Sequence, residues 1–271
     1  MKFTNLGIAA PEVKIARDLL SGRKLPGCED LFVCEGLWAA EKLMSQKLAV
    51  KYFFFCPEMI KTSEEQALTE KMCEYASAAF CISGKACGKI SDRDGADGFF
   101  IVAQMPVYRL EDLEPRLTDN MVIMILDGQE QPGNIGAILR SLDCAGGAFA
   151  VMTNRRVRLT HPRLIRASLG AAFMLPVAEA PMDKLTDWLA GHGFRAVLTD
   201  LTATHSYREL DYKGRIAIVA GNEFKGISPR WRELDIAEPV IIPMLGSCES
   251  LNVGFASTLV AYEAGLRQKG L

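Results

Sequence analysis

Met121-Val-Ile-Met-Ile-Leu126 runs directly into Asp127-Gly-Gln-Glu-Gln-Pro-Gly-Asn134-Ile-Gly136-Ala-Ile-Leu-Arg140-Ser141. Apolar residues in unbroken succession, without alternation, read as a strand buried on both faces, the pattern of a parallel sheet. The Gly- and Pro-rich stretch that follows is a loop, and the apolar spacing from Ile135 onward predicts a helix. Working outward, Ala148–Met152, Arg195–Leu198, Arg215–Ala220 and Pro239–Ile242 repeat the strand signal, most of them followed by a turn-rich loop and a helical pattern. This alternation predicts an α/β fold with a parallel sheet, in which ligands bind beyond the carboxyl ends of the strands.

The part upstream is a smaller α/β unit. Leu31–Cys34, Tyr52–Cys56 and Phe99–Gln104 are β-rich runs, and Glu35–Ser45 predicts a helix that buries Leu37, Ala40, Leu43 and Met44. Thr62-Ser-Glu-Glu65 reads as a capping box that opens another helix. Pro106 and Pro115 frame a charged segment, so the expected division is a domain at 1–106, a linker at 107–118 and a second domain at 119–271.

Composition narrows the function. The 271 residues are 49% hydrophobic and 24% charged, which excludes disordered and fibrous classes. Lys+Arg against Asp+Glu is 31 against 33, a net charge of −2, so a diffuse basic coat for nucleic acid is excluded. No apolar run approaches the roughly 20 residues a membrane span needs, and the N-terminal stretch meets Glu12 too early for a signal peptide. The eight cysteines contain no CxxC pair, and His161, His192 and His205 lie far apart. The expectation is therefore no metal, reduced thiols and a cytoplasmic setting.

Three loops at strand ends carry the candidate chemistry. The first holds Asn134, Gly136 and Arg140, with Asn134 placed to cap the helix. The second, Gly221-Asn-Glu223-Phe-Lys-Gly226-Ile-Ser228-Pro229, sets two glycines around a carboxylate but matches neither phosphate-loop nor dinucleotide motifs. The third runs from Pro243-Met244 through Gly246 to Ser250-Leu251-Asn252-Val253, where Ser250 or Asn252 is a natural helix cap. Each alone is explained by turn and capping chemistry.

In this order, Asn134-x-Gly136-x-x-x-Arg140, Gly221-x-Glu223-x-x-Gly226-x-Ser228 and Ile242-Pro-Met244-x-Gly246-x-x-x-Ser250-Leu251-Asn252-Val253 together resemble the signature motifs of the SpoU (TrmH-like) RNA ribose methyltransferases of the SPOUT superfamily. The resemblance covers about residues 119–271, with Arg166-Ala-Ser168-x-Gly170-Ala similar to a further family segment. Val33-Cys-Glu35-Gly36 resembles the entry to the RNA substrate-binding domain often joined to this family.

The resemblance implies transfer of a methyl group from S-adenosyl-L-methionine to a ribose 2′-hydroxyl of structured RNA, ribosomal or transfer. It implies a catalytic SPOUT domain with a trefoil knot, and a homodimer formed through that domain. The cofactor would lie against Thr199, Leu201, Gly221, Asn222, Gly226, Ile242, Met244, Ser250 and Leu251. Arg140 would act as base or organise the reacting hydroxyl and phosphate; a guanidinium keeps its proton, which favours positioning. Asn134 and Asn252 would orient Arg140 and the ribose, and Glu223 would pair with Arg140 or a nearby amide. Where the family commonly has Ser after Ser-Leu-Asn-Val, this chain has Gly254, the one feature that favours a non-catalytic RNA-binding protein on the same fold. A nicotinamide-dependent oxidoreductase would need a GxGxxG turn after a strand, and none is present.

The neutral total hides a local asymmetry. Arg155, Arg156, Arg158, Arg163 and Arg166 occur in a stretch without a single acid, whereas residues 1–110 balance 14 Lys+Arg against 14 Asp+Glu. Such a patch suits phosphate binding. Replacing Arg155 and Arg156 by Gln is expected to weaken RNA binding and to reduce the slope of log K against log salt by about one per lost phosphate contact, in a filter-binding titration.

Overall fold

The computed structural model describes residues 2–91 and 96–271. The chain divides into two compact units, Met1–Pro106 with Leu159–Arg166, and Val107–Arg158 with Ala167–Leu271.

The first unit is a mixed sheet of β1 (Thr4–Asn5), β2 (Leu31–Glu35), β3 (Val50–Phe55), β4 (Ala78–Cys81) and β5 (Phe99–Gln104), ordered β1-β4-β3-β5-β2. β5 runs antiparallel to both its neighbours, and the β1–β4 and β3–β4 pairs are parallel. The connections contain α1 (Pro11–Leu20), α2 (Ala40–Ser45), α3 (Ser63–Tyr75) and α4 (Gly84–Ile90). Phe54, Phe80 and Phe100 from the sheet pack with Val13, Ala16 and Leu19 of α1. The capping box forms, with Thr62 Oγ1 accepting from Glu65 N at 3.1 Å and Glu65 Oε2 from Thr62 N at 3.2 Å. The helix expected from Glu35 begins later. Gly36 turns the chain at φ +94°, Leu37–Ala39 make a short 3₁₀ turn, and Trp38 Nε1 donates to Glu35 O at 2.8 Å.

The second unit contains α5 (Leu110–Leu113), β6 (Met121–Asp127), α6 (Pro132–Cys144), β7 (Ala150–Thr153), α7 (Pro162–Ser168, shared with the first unit), α8 (Ala171–Met174), β8 (Val177–Glu179), α9 (Met182–Gly191), β9 (Phe194–Thr199), β10 (Arg215–Ala220), β11 (Ala237–Val240) and α10 (Val253–Gln268). Its sheet is parallel throughout, ordered β11-β9-β10-β6-β7-β8. All of β6 is buried, as its unbroken apolar run requires. One face of the sheet packs Ile123, Ile125, Ala217 and Val219 against Leu185, Leu189 and Trp231. On α6, Ile135, Ile138, Leu139 and Leu142 are buried, as are Val260, Ala261 and Ala264 on α10. These two helices approach closely. Thr258 Oγ1 and Ser141 Oγ are 2.6 Å apart, and Gly265 leaves no room for a Cβ against the Ala145 carbonyl.

The stretch 107–118, expected as a linker, is structured. Leu110 and Leu113 lie one helical turn apart on α5 and join the core of the second unit, while Glu111 faces outward to Lys184 at 2.6 Å. Its charge therefore marks an amphipathic surface turn. Among the described residues no helix is long and apolar enough to cross a membrane. All eight cysteines are free of disulfides.

Beyond β6 the successive strands β7 and β8 build to one side, and β10 and β9 to the other. A crevice opens at such a switch point, at the carboxyl ends of the strands. The end of β6 is fastened there by Asp127. Its Oδ2 accepts from Ser228 N at 2.8 Å and Trp231 Nε1 at 3.2 Å, and its Oδ1 from Asn154 Nδ2 at 2.8 Å and Ser228 Oγ at 3.0 Å. Asp127→Ala would leave the buried Trp231 Nε1–H without an acceptor, at about 1–3 kcal/mol, and would release Ser228 and Asn154 as well. The urea midpoint of the second unit is expected to fall by the equivalent of at least about 2 kcal/mol; an unchanged midpoint would show that Asp127 is not what holds this edge.

Candidate active site

The loops after β9, β10 and β11, with the start of α10, enclose a cleft of about 450 Å³. β9 delivers Thr199 and Leu201, the loop after β10 delivers Gly221, Asn222 and Gly226, and the chain after β11 delivers Ile242, Met244, Ser250 and Leu251. Every residue singled out from the sequence for the cofactor thus lines one cleft, and Glu223 and Asn252 line it too. Asp200, Phe224, Ile227, Val240, Val253 and Ala256 also line it and were missed. Most are neighbours of motif residues, so strand-end position was the available signal for them.

The loop after β10 is a small closed hairpin. Asn222 and Gly226 exchange both backbone hydrogen bonds at 2.9 Å, Gly226 sits at φ +69°, and a Cβ on Gly221 would collide with the Gly226 backbone. Asn222 Oδ1 accepts from Phe224 N at 2.9 Å and Lys225 N at 3.0 Å, while its Nδ2 donates to Gly128 O at 2.8 Å. From the opposite side Gln129, buried and absent from the sequence expectations, donates Nε2 to Ala220 O at 3.2 Å and to Gly221 O. The loops after β6 and β10 are therefore laced together.

Glu223 completes the lacing. Its carboxylate accepts from Glu130 N and Gln131 N at 3.1 Å each and from Asn134 Nδ2 at 3.0 Å. Partial burial works to raise its pKa, but these donors outweigh burial and hold it below the usual carboxylate range. The amino end of α6 adds favourable helix-dipole charge. Asn134 does not cap α6. Pro132 starts the helix with Gln131 as the cap residue, which puts Asn134 inside the first turn with its side chain free to reach Glu223. Asn134 Oδ1 in turn accepts from Asn252 Nδ2 at 3.3 Å, and Asn252 Oδ1 caps α10 by accepting from Gly254 N at 2.8 Å. A continuous chain of hydrogen bonds thus joins all three motif loops.

Asp200, in the cleft wall, is similarly committed. Burial pushes its pKa up, but Arg232 Nε at 2.8 Å, with Thr202 N at 2.9 Å and Thr202 Oγ1 at 2.8 Å, brings it below the ordinary value.

Arg140 stands apart. It is exposed on α6, does not line the cleft, and has no hydrogen-bond or ion-pair partner among the described residues. Of the two partners expected for Glu223, the amides are taken and Arg140 is not. The arginine stretch is divided as well: Arg155, Arg156 and Arg158 belong to the second unit, Arg163 and Arg166 to the first. Arg155 pairs with Glu179, Arg166 lies 4.0 Å from Glu35, and Arg156 and Arg163 are exposed. Among the described residues no cluster of His, Cys, Asp or Glu could hold a metal ion.

Residues 121–262 match the model of the SpoU rRNA Methylase family. A 23S rRNA (uridine(2479)-2′-O)-methyltransferase of Streptomyces viridochromogenes is 32% identical over 174 residues, which cover 62% of this chain and 59% of that protein. Across the first curated relatives, the match spans about half of their length. A solved RNA 2′-O ribose methyltransferase is 33% identical, covers all of both chains and superposes with a TM-score of 0.81. An AdoMet-bound rRNA methyltransferase of Sinorhizobium meliloti, 23% identical over 97% of each chain, shares the fold with a TM-score of 0.85.

Because Glu223 is held below its unfolded pKa, its contribution is present above about pH 4.3 and is lost as pH falls through the lower folded value. Glu223→Gln is expected to lower the thermal midpoint at pH 7 by roughly 2–4 °C. The gap from the unsubstituted protein should close on acidification below about pH 4. A gap that widened in acid would reverse the assigned sign.

Proposed function

The chain belongs to the SpoU rRNA Methylase family, and from that premise we propose that it transfers the methyl group of S-adenosyl-L-methionine to a ribose 2′-hydroxyl of structured RNA. Ribosomal RNA is favoured, with transfer RNA second. The observation that carries this reading is the hydrogen-bonded chain Glu223–Asn134–Asn252 at the edge of a cleft lined by the motif residues of β9, β10 and β11.

The cleft fits the cofactor by size and lining. Its volume lies within the range of small-molecule sites. Ile242, Met244 and Leu251 offer apolar surface for a purine, and the Gly221–Gly226 hairpin and Thr199 offer polar groups. When bound, S-adenosyl-L-methionine supplies an electrophilic sulfonium methyl. The residues of the chain act by positioning, which is a large share of an in-line displacement. The unpartnered guanidinium of Arg140 is a planar fork of donors that suits a phosphate or the reacting hydroxyl. The carboxylates of Glu223 and Asp200 are engaged by amides, Thr202 and Arg232, an arrangement suited to positioning. Glu223 is a positioning residue that sets the first turn of α6, about two turns before Arg140 on the same helix.

The first unit is assigned the grip on RNA, with its exposed Arg163 as a phosphate contact, and Arg155, Arg156 and Arg158 are assigned phosphate contacts on the second unit. A homodimer through the second unit is supported by α10. Phe255, Leu259, Tyr262 and Leu266 recur at helical spacing and are 40–68% exposed, an apolar stripe that a second copy would cover. A trefoil knot is supported by the path of the chain end: β11 pairs at the sheet edge beside β9, yet α10 returns to pack on β10, β6 and α6. Free cysteines accord with a cytoplasmic setting.

The non-catalytic alternative leaned on Gly254. Its N–H donates to Asn252 Oδ1, and a Cβ there would lie 3.1 Å from that side-chain oxygen. The Asn252 cap of α10 and its link to Asn134 thus form with glycine at this position, which favours the active reading.

Calorimetry is expected to show S-adenosyl-L-methionine binding in the micromolar range, as about −8 kcal/mol. Labelled methyl transfer to fractionated cellular RNA, followed by mapping of the 2′-O-methylated nucleotide, identifies the substrate. Arg140→Ala should reduce transfer by at least about 100-fold, as for loss of a single transition-state donor, and leave cofactor binding nearly unchanged. Heat from NADH and none from the methyl donor would overturn the assignment; equal loss of binding and transfer in the variant would make Arg140 structural.

A further inference from the structure

Phe224 is 81% exposed at the mouth of the cleft. Aromatic side chains typically bury about 150–250 Å², so a ring displayed to water on a built site forgoes a large favourable term unless a ligand covers it. The display is not a slack loop. The Asn222–Gly226 backbone pair, the two N–H groups held by Asn222 Oδ1 and the anchored Glu223 carboxylate fix the hairpin on either side of the ring. Leu201 and Leu251 extend the apolar mouth at 58% and 40% exposure. Of the acids nearby, Asp200 is paired with Arg232, and Glu223 is turned onto the Glu130 and Gln131 amides and Asn134. Lys225 follows the ring and is exposed. A rigid aromatic face beside a cation, on the lip of a cleft, is the combination that holds single-stranded nucleic acid.

We propose that Phe224 is a stacking platform for a nucleobase of the RNA strand entering the cleft, with Lys225 meeting an adjacent phosphate. This rests on the RNA-methyltransferase reading and adds the residue that seats the base. Stacking is tolerant of base identity because every base offers a π-face. It orients the nucleotide without selecting its sequence.

The test uses the full chain and a short single-stranded RNA carrying 2-aminopurine. Fluorescence anisotropy gives RNA affinity, 2-aminopurine quenching reports stacking, and calorimetry gives methyl-donor affinity. Phe224→Ala and Phe224→Leu should weaken RNA binding about tenfold and abolish the protein-induced quenching, while Phe224→Tyr stays within about twofold of the unsubstituted chain. Lys225→Gln should lower the salt slope by about one. Methyl-donor affinity and the molar mass by light scattering should be the same in all variants. Equal RNA affinity across the series, a loss of methyl-donor affinity in place of RNA affinity, or a changed oligomeric mass would each overturn the proposal. Failure of the unsubstituted chain to transfer methyl would count against the methyltransferase reading, and the anisotropy series would still decide on Phe224.

Discussion

The carboxylate of Glu223 planted on the N–H groups of Glu130 and Gln131 is the contact on which the site depends. It joins the loop after β10 to the first turn of α6, and through Asn134 and Asn252 it reaches the cap of α10. Three segments spread over more than a hundred residues of chain are thereby held in one register. Asp127 makes a parallel fastening deeper in the sheet, where it gathers Ser228, Trp231 and Asn154 at the end of β6. In both cases one acceptor group satisfies several donors that a loop would otherwise expose, and that is why these loops can be rich in glycine and still be rigid.

That rigidity separates two kinds of charge. The acidic groups of the site are spent on structure: Glu223 and Asp200 are satisfied by amides, hydroxyls and Arg232, and both are shifted toward the ionised form. The basic groups, by contrast, are partly left over. Arg140 has no partner among the described residues, and Arg156, Arg163 and Lys225 are exposed. A chain whose charges sum to −2 can thus present a locally cationic surface where exposed arginines and lysines lack an acidic partner.

The strands of the second sheet were legible wherever burial on both faces left an unbroken apolar run, as in Met121–Asp127 and Arg215–Ala220. β1 and β8 were not: they have two and three residues, too few for a period to emerge. The segment 107–118 misled because two prolines and several acids resemble a linker, while its apolar content is confined to Leu110 and Leu113, which matter only once a core exists to receive them. Among site residues, those in the three motifs were readable. Gln129 and Asp127 carried no pattern, since a buried polar side chain is recognisable only by the partners that satisfy it.

By itself, then, the sequence determined the α/β class, the strand-end loops and the chemical identity of the groups placed there, because periodicity and residue type are local properties. Tertiary structure decided which partner each group took. Glu223 chose two backbone amides and Asn134 over Arg140, because the loop after β6 brings the Glu130 and Gln131 N–H groups to the carboxylate just before α6 begins at Pro132. The exposure of Phe224 and the freedom of Arg140 are likewise facts of packing. They depend on what lies within a few ångströms in space, which the order of residues along the chain does not specify.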